Sequence, residues 1–341
     1  MSEVNVRLNR RQTLFLLGGA ATAALASITK PAHAARELVI AEPVHSVGYL
    51  PMYVAVHKGY FEEENLKLQI NVVQGGGAHA AAVLTGDAWG MIGGPEHCAY
   101  AKARGGDLRA VVNVVNRGNV YINAKKGVEI PTSSDWGSFF QGKRIFSAQF
   151  GGTPNSILRY LLKEWELDPV QDVTLIEGPS GGAELVTIRS GQADLALTSE
   201  PVTTQGIKQG IWDEPFYNVP KELGPYAFST INIRKDSLDN EPEVVESFVR
   251  AIIKGLAFVY SNSEESTEIA REEFPTMALE DLQATLNRSF ADELWSPDGI
   301  ITPESWQTAH NVVRNSGNLT RDVAYEEIIE MKHVRNVIAS L

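Results

Sequence analysis

The sequence has a single cysteine, Cys98, in 341 residues. One thiol makes neither an intramolecular disulfide nor a cysteine-based zinc cluster. Basic residues are also scarce, 30 lysines and arginines against 42 acids, for a formal charge of −12. With no basic stripe to neutralise phosphates, a nucleic-acid partner is excluded. The 7 histidines contain no H-E-x-x-H or similar ligand spacing, so neither a metal nor a cofactor is expected. What remains is 43% hydrophobic, an ordinary globular composition with length enough for two lobes around a sizeable core.

The N-terminus has its own character. "NRRQTLFLLGGAATAALASITKPAHA" opens with charge, runs apolar from Leu14 to Ala26, and closes on the small-residue pattern Ala32-His33-Ala34. The run is too short and alanine-rich to span a bilayer permanently. Arg10-Arg11 resembles a twin-arginine export signal, with Asn9 and Thr13 departing from its commonest form, and Lys30 behind the apolar run suits that type. No cysteine stands at the cleavage site, which argues against a lipid anchor. Residues 1–34 are therefore expected to be a cleaved export signal. Its removal would take the formal charge from −12 to −15 and leave an acidic periplasmic protein that is not membrane-embedded.

Beyond the signal the chain alternates strands and helices. In "GYLPMYVAVHKGYFEEENLKLQI", residues 48 to 70, Pro51 suits a first helical turn and Gly59 suits the left-handed position that ends helices. Leu66 to Val72 then alternates with the period of a half-buried strand. Similar strand–loop–helix units follow at "QGGGAHA", "GGPEH", "FGGTPNS", "GPSGG" and "TSEP". Such alternation predicts mostly parallel sheets covered by helices, with ligands at the strand-to-helix loops. From Pro242 onward the pattern is almost wholly helical, and Val244, Val245, Phe248, Ala251, Ile252, Leu256 and Val259 form one apolar stripe. "LTGDAWGMIGGPEH" and "IRSGQADLALTSEP" form a quasi-repeat between two halves.

"GYLPMYVAVHKGYFEEENL", "GGGAHAAAVLTGDA", "GKRIFSAQFGGTPNSILRYLL" and "SGQADLALTSEP", in this order, resemble the solute-binding proteins of ABC importers. The similarity is to the NMT1/THI5-like branch, which handles nitrate, sulfonates, bicarbonate and pyrimidine precursors. Trp89 departs from it, standing where the first repeat usually carries a small polar residue. The resemblance implies a two-lobed α/β fold of periplasmic-binding-protein type II, with two interlobe crossovers and a helical C-terminal part. One lobe would comprise residues 35–124 and 227–341, the other 125–226. The partners implied are a small-molecule solute, an ABC permease and its ATPase, and the receptor would act as a monomer.

Two motifs have competing explanations. "GPSGG" matches a nucleophile elbow, but the only downstream histidines, His310 and His333, sit in polar helical surroundings. Ser180 is better read as a helix cap. "GGGAHA" matches a dinucleotide loop, yet the next strand ends in glycine rather than an acid. Gly76 in this loop instead offers a backbone N–H to a ligand. His45, His79 and His97 lie on three loops expected to converge, where a zinc site would need ligand spacing that is not seen.

The expected cleft contacts are His45, Tyr49, Gly76, Glu96, His97, Thr153, Asn155, Ser199 and Glu200. Thr153 and Asn155 open a helix that would accept a polar group. In the resembled family the Glu200 position commonly faces the solute, and Glu96 is its match in the other half. The alternative for both is a carboxylate that simply favours a helix start. No lysine or arginine lies in the six loops, which disfavours a multivalent oxyanion. The two acids favour a neutral or N–H-bearing solute such as an amine-bearing heterocycle, and a monocarboxylate on helix N-termini stays open. The competing classes are a same-fold enzyme resembling pyrimidine synthases, whose cysteine-rich motif is absent, and a periplasmic sensor.

Overall fold

The computed structural model describes residues 35–341, so the expected export signal and its Arg10-Arg11 pair lie outside the described residues. Ten strands build two sheets. The first holds β1 (Arg36–Glu42), β2 (Leu66–Val72), β3 (Gly90–Gly93), β4 (Leu108–Arg117) and, from much later in the chain, β10 (Pro225–Arg234), in the order β2-β1-β3-β10-β4. The second holds β5 (Tyr121–Ala124), β6 (Arg144–Ala148), β7 (Thr174–Gly178), β8 (Leu195–Thr198) and β9 (Tyr217–Asn218), in the order β7-β6-β8-β5-β9.

Burial follows position in the sheet. β2 alternates because it is an edge strand whose outer face is wet, whereas central β3 is buried throughout. Both sheets are mixed rather than mostly parallel. β1 runs parallel to β2 and β3, but β10 is antiparallel to β3 and β4. Likewise β6 runs parallel to β7 and β8, while β5 is antiparallel to β8 and β9. The reversed strands are those next to the two passages between sheets, since β5 follows directly on β4, and only the short helix Val219–Leu223 separates β10 from β9.

One boundary differs from the sequence reading. Tyr121–Ala124 belongs to the second sheet, paired with β8 and β9. The chain thus crosses at residues 118–120, before the expected break at 124. An apolar strand carries no label for the sheet it will join, and here the crossing is only three residues long.

Helices cover the sheets. The long helix Pro242–Ser261 buries Val245, Phe248, Ala251, Ile252, Leu256 and Val259, with Val244 only half-buried. It packs on the helix Leu50–His57 so closely that a side chain at Gly255 would strike the backbone of Pro51. Gly59 has φ +72° just past the end of that shorter helix, as its place in the sequence predicts. The two quasi-repeats show matching turns, with left-handed Gly86 and Gly191. At the next equivalent position Asp194 is held by Arg144 at 2.6 Å, whereas Trp89 instead packs on Phe248 with ring centroids 5.1 Å apart. The departure at Trp89 thus exchanges an ion pair for core packing. Among the described residues no helix is long and apolar enough to cross a membrane.

Candidate functional site

The strand-to-helix loops of the two sheets face each other across a cavity of about 110 Å³. A single water needs about 10–15 Å³ of such space, so the cavity holds roughly seven to eleven water-sized groups. Its walls come from both lobes and from the crossing segments beneath them.

Five of the nine expected contacts line it: Tyr49, Gly76, His97, Thr153 and Ser199. Tyr49 lies at the end of a short turn that Ser46 caps by accepting from the Gly48 N–H at 3.2 Å. Thr153 opens the helix Thr153–Glu164 from the second lobe. Gly76 meets the backbone of Phe150 and Gly151 across the cleft, and a methyl group there would collide with the Phe150 carbonyl oxygen. Only glycine permits the loops to approach this closely.

The other four expected contacts are outside the lining, each held by nearby partners. His45 Nδ1 lies 3.0 Å from Glu42 Oε1 and its Nε2 lies 3.4 Å from Glu273 Oε2, with the ring between Tyr53 and Phe274. The Glu42 hydrogen bond raises its pKa, against the opposing effect of burial. Asn155 donates to the Ala148 carbonyl at 3.0 Å and to Glu177 at 2.8 Å, and accepts from Arg159 at 2.9 Å. It braces the loop that presents Thr153. Glu200 accepts from the Thr204 N–H and hydroxyl, from Thr285 at 3.2 Å and from Arg288 at 2.7 Å. Its carboxylate ties the second lobe to the helix Leu279–Ala291, and burial still holds its pKa above the ordinary range. Arg288 comes from the helical C-terminal part, beyond the loops whose lack of cations is legible in the sequence.

Glu96 lies just behind the cavity wall. Thr153 donates its hydroxyl to Glu96 Oε1, joining the two lobes, while Oε2 is buried without a hydrogen-bond partner among the described residues. Burial pushes its carboxyl up to about 7. Hence the quasi-repeat carboxylates are not equivalent: Glu200 is paired with a cation, and Glu96 is held by a hydroxyl.

Sequence reasoning missed several lining groups. Asn119, Phe228 and Ser229 stand on or beside the crossing segments, which form the floor of the cleft. Their signal is topological, because a chain passing between two lobes must cross beneath the ligand. Ser46, Gln74, His79 and Gln149 stand on loops that were singled out, one to a few residues from those chosen. Ser180 also lines the cavity and does not cap a helix. The helix Ala183–Arg189 starts after Gly182, and Glu184 reaches back to accept from the Gly182 N–H at 2.8 Å and the Gly181 N–H at 3.4 Å. A longer acid one turn later has taken the role expected of the serine.

His79 and His97 meet edge to face, ring centroids 4.5 Å apart, while His45 is elsewhere. Burial lowers both, His79 to about 4, so each imidazole is neutral near pH 7. Among the described residues no lysine, arginine, aspartate or glutamate lines the cavity. Its polar groups are hydroxyls, carboxamides, neutral imidazoles and backbone amides, set among Val44, Phe228 and three prolines. Such a wall favours solutes that hydrogen-bond without formal charge.

Two α/β lobes, crossed twice by the chain and enclosing a cavity between their loops, define a solute-binding-protein fold. Residues 46–266 match the family described as NMT1/THI5 like, and the chain belongs to that family. It is 24% identical over 301 residues to YtlA of Bacillus subtilis (strain 168), a protein named as a binding protein, spanning 87% of this chain and 89% of that one. It is 23% identical over 305 residues to the riboflavin-binding protein RibY of Chloroflexus aurantiacus, spanning 83% and 82%. Among solved structures, the alkanesulfonate-binding protein SsuA from Xanthomonas axonopodis pv. citri, bound to MOPS, superposes with a TM-score of 0.71. That match has 16% identity and covers 88% of this chain and 100% of that one.

Proposed function

We propose that this chain is an extracytoplasmic receptor that captures a small uncharged organic solute between its lobes and delivers it to an ABC permease and its ATPase. The solute class is a ring-containing molecule with hydrogen-bonding groups. The observation that carries this reading is the cavity wall, assembled from both lobes, with uncharged polar groups set in apolar surface and no charged side chain among the described residues. An oxyanion such as nitrate or a sulfonate would ordinarily be met by a cation or a cluster of charge-assisted donors. Phe228 and the prolines offer apolar surface to a ring, and the carboxamides of Gln74, Asn119 and Gln149 offer both donors and acceptors. The name of the relative RibY adds support, since riboflavin is itself heteroaromatic.

Export by the twin-arginine route, with cleavage after Ala34 and a monomeric mature protein, completes the proposal and rests on the sequence alone. A binding role in preference to catalysis draws on the site, because fold does not decide function. The single thiol, Cys98, is buried and donates to Asn232 Oδ1 at 3.2 Å, away from the cavity. His310 and His333 are engaged elsewhere, with the Val323 N–H and Glu246, and neither is hydrogen-bonded to Ser180.

The test is a thermal-shift screen of residues 35–341, since a ligand that binds only the folded state raises the melting temperature. Uncharged heteroaromatics and cyclic amides are expected to raise it. A screen in which only nitrate, sulfonates or carboxylates do so would refute the solute class, and turnover of a stabilising compound would refute the receptor role.

A further inference from the structure

Among the described residues His79 is the buried side chain with two polar atoms left unpaired. It is the second residue of the helix Ala78–Thr85 and only 3% exposed, and it lines the cavity. Neither Nδ1 nor Nε2 has a hydrogen-bond partner among the described residues. Its aromatic contact among the described residues is with His97, whose ring meets it at an interplanar angle of 80°. Buried polar groups in folded proteins nearly always find partners, and an imidazole with both nitrogens unpaired is a costly exception. Among the described residues four other histidines find polar partners: His45 and His57 each reach Glu273, His333 reaches Glu246, and His310 accepts from the Val323 N–H.

The unpaired histidine also stands where a charge would be opposed. A helix N-terminus disfavours a cation, and burial has the same effect, so the ring stays neutral with one N–H donor and one lone pair. We propose that His79 determines which solute the cavity accepts, by hydrogen-bonding to the ring-bound donor or acceptor of an uncharged solute such as a cyclic amide or aminopyrimidine. This rests on the receptor reading above and deepens it by assigning the selecting group. Selection of this kind is steep. A site built to hydrogen-bond a ligand rejects an analogue lacking the matching group, because the site's own buried polar atoms are then left unsatisfied.

The experiment compares wild type with His79→Leu, similar in volume but apolar, and His79→Gln, which keeps a donor and an acceptor. Cytosine, uracil and nicotinamide are the probes, and calorimetric titration and melting temperature the readouts. His79→Leu is expected to weaken the bound probe about ten- to a hundredfold. It should leave the melting temperature of the empty protein unchanged or raised, because no internal hydrogen bond is removed. His79→Gln should recover most of the affinity. A clear fall in melting temperature of the empty His79→Leu protein, or an unchanged affinity, would overturn the assignment. Failure of all three probes to bind wild type is a different result: it sinks the uncharged-solute reading, and this inference with it.

Discussion

Replacing Glu96 with glutamine probes the hydrogen bond that spans the lobes. The carboxyl is fully buried, Thr153 donates to one oxygen, and the other oxygen has no partner among the described residues. Burial accordingly raises its pKa from 4.5 to about 7. An acid whose pKa is higher in the folded form stabilises that form fully below its unfolded value, and the contribution is lost as pH rises through the folded value. The wild type should therefore lose stability from about pH 4.5 to beyond pH 7, with a total for this group on the order of 3 kcal/mol. Its surroundings do not titrate in that window. Tyr49, Tyr100, Tyr226 and Cys98 are all raised by burial and stay protonated, while His79 and His97 are lowered and stay neutral. Glutamine keeps a carbonyl oxygen for Thr153 but cannot ionise. Urea unfolding of both proteins at pH 5 and pH 8, followed by tryptophan fluorescence, isolates the effect, because every other titrating group cancels in the difference. Glu96→Gln should be the more stable protein at pH 8, and its advantage should shrink or reverse at pH 5. Parallel pH profiles would show that Glu96 ionises at the same pH in the folded and unfolded protein, and would refute the argument.

Three further outcomes follow from the same geometry. Gly76→Ala places a methyl group against the Phe150 carbonyl, so solute affinity should fall about tenfold or more through faster release, visible in stopped-flow dissociation; unchanged release would show that the loops yield easily. Arg288→Ala strands the buried Glu200 carboxylate and should cost about 3 kcal/mol, near the lower end for a broken buried pair because Arg288 is partly exposed; a melting temperature within a degree of wild type would contradict this. Ser180→Ala removes a cavity hydroxyl but no helix cap, so stability should hold while affinity falls by about 0.5–1.5 kcal/mol; a loss of stability without a loss of affinity would restore the capping role.

Much of the fold was legible because its signals are local. The alternation in Leu66–Val72, the left-handed Gly59 and the apolar stripe of Pro242–Ser261 are each fixed by a few neighbouring residues. The cavity was legible to the level of its loops, and less so to the level of side chains. Glu200 looks available in sequence because its cation Arg288 lies 88 residues away, while His45 and Asn155 combine near partners, Glu42 and Arg159, with far ones, Glu273 and Glu177, at 228 and 22 residues. The partner that removes a polar group from a cleft is invisible until the chain has folded. The reverse holds for Asn119 and Ser229, which look like ordinary strand-end residues until the crossing places them under the cavity.

The helix Leu279–Ala291 bears on how the two lobes are held together. It follows the first sheet's last strand in the chain, yet its side chains grip the second lobe at Glu200 and at Lys208, whose Nζ lies 2.6 Å from Asp281. Just past its end, Asp292 accepts from Tyr121 at 2.8 Å and from Asn218 at 3.0 Å. On its other side it meets the helix Ser263–Glu273, which rests on Leu50–His57 of the first lobe, the turn Val47–Tyr49, and Tyr260 of the helix Pro242–Ser261, whose ring stacks edge-on against Phe290. A rotation of one lobe against the other therefore has to shear one of these two surfaces. With charged pairs on the second-lobe side and mainly apolar packing on the first, the first-lobe side would be the easier one to slip. Such a slip would make the offset between two surface helices a dial, reading out the angle of the lobes to any partner that touches both.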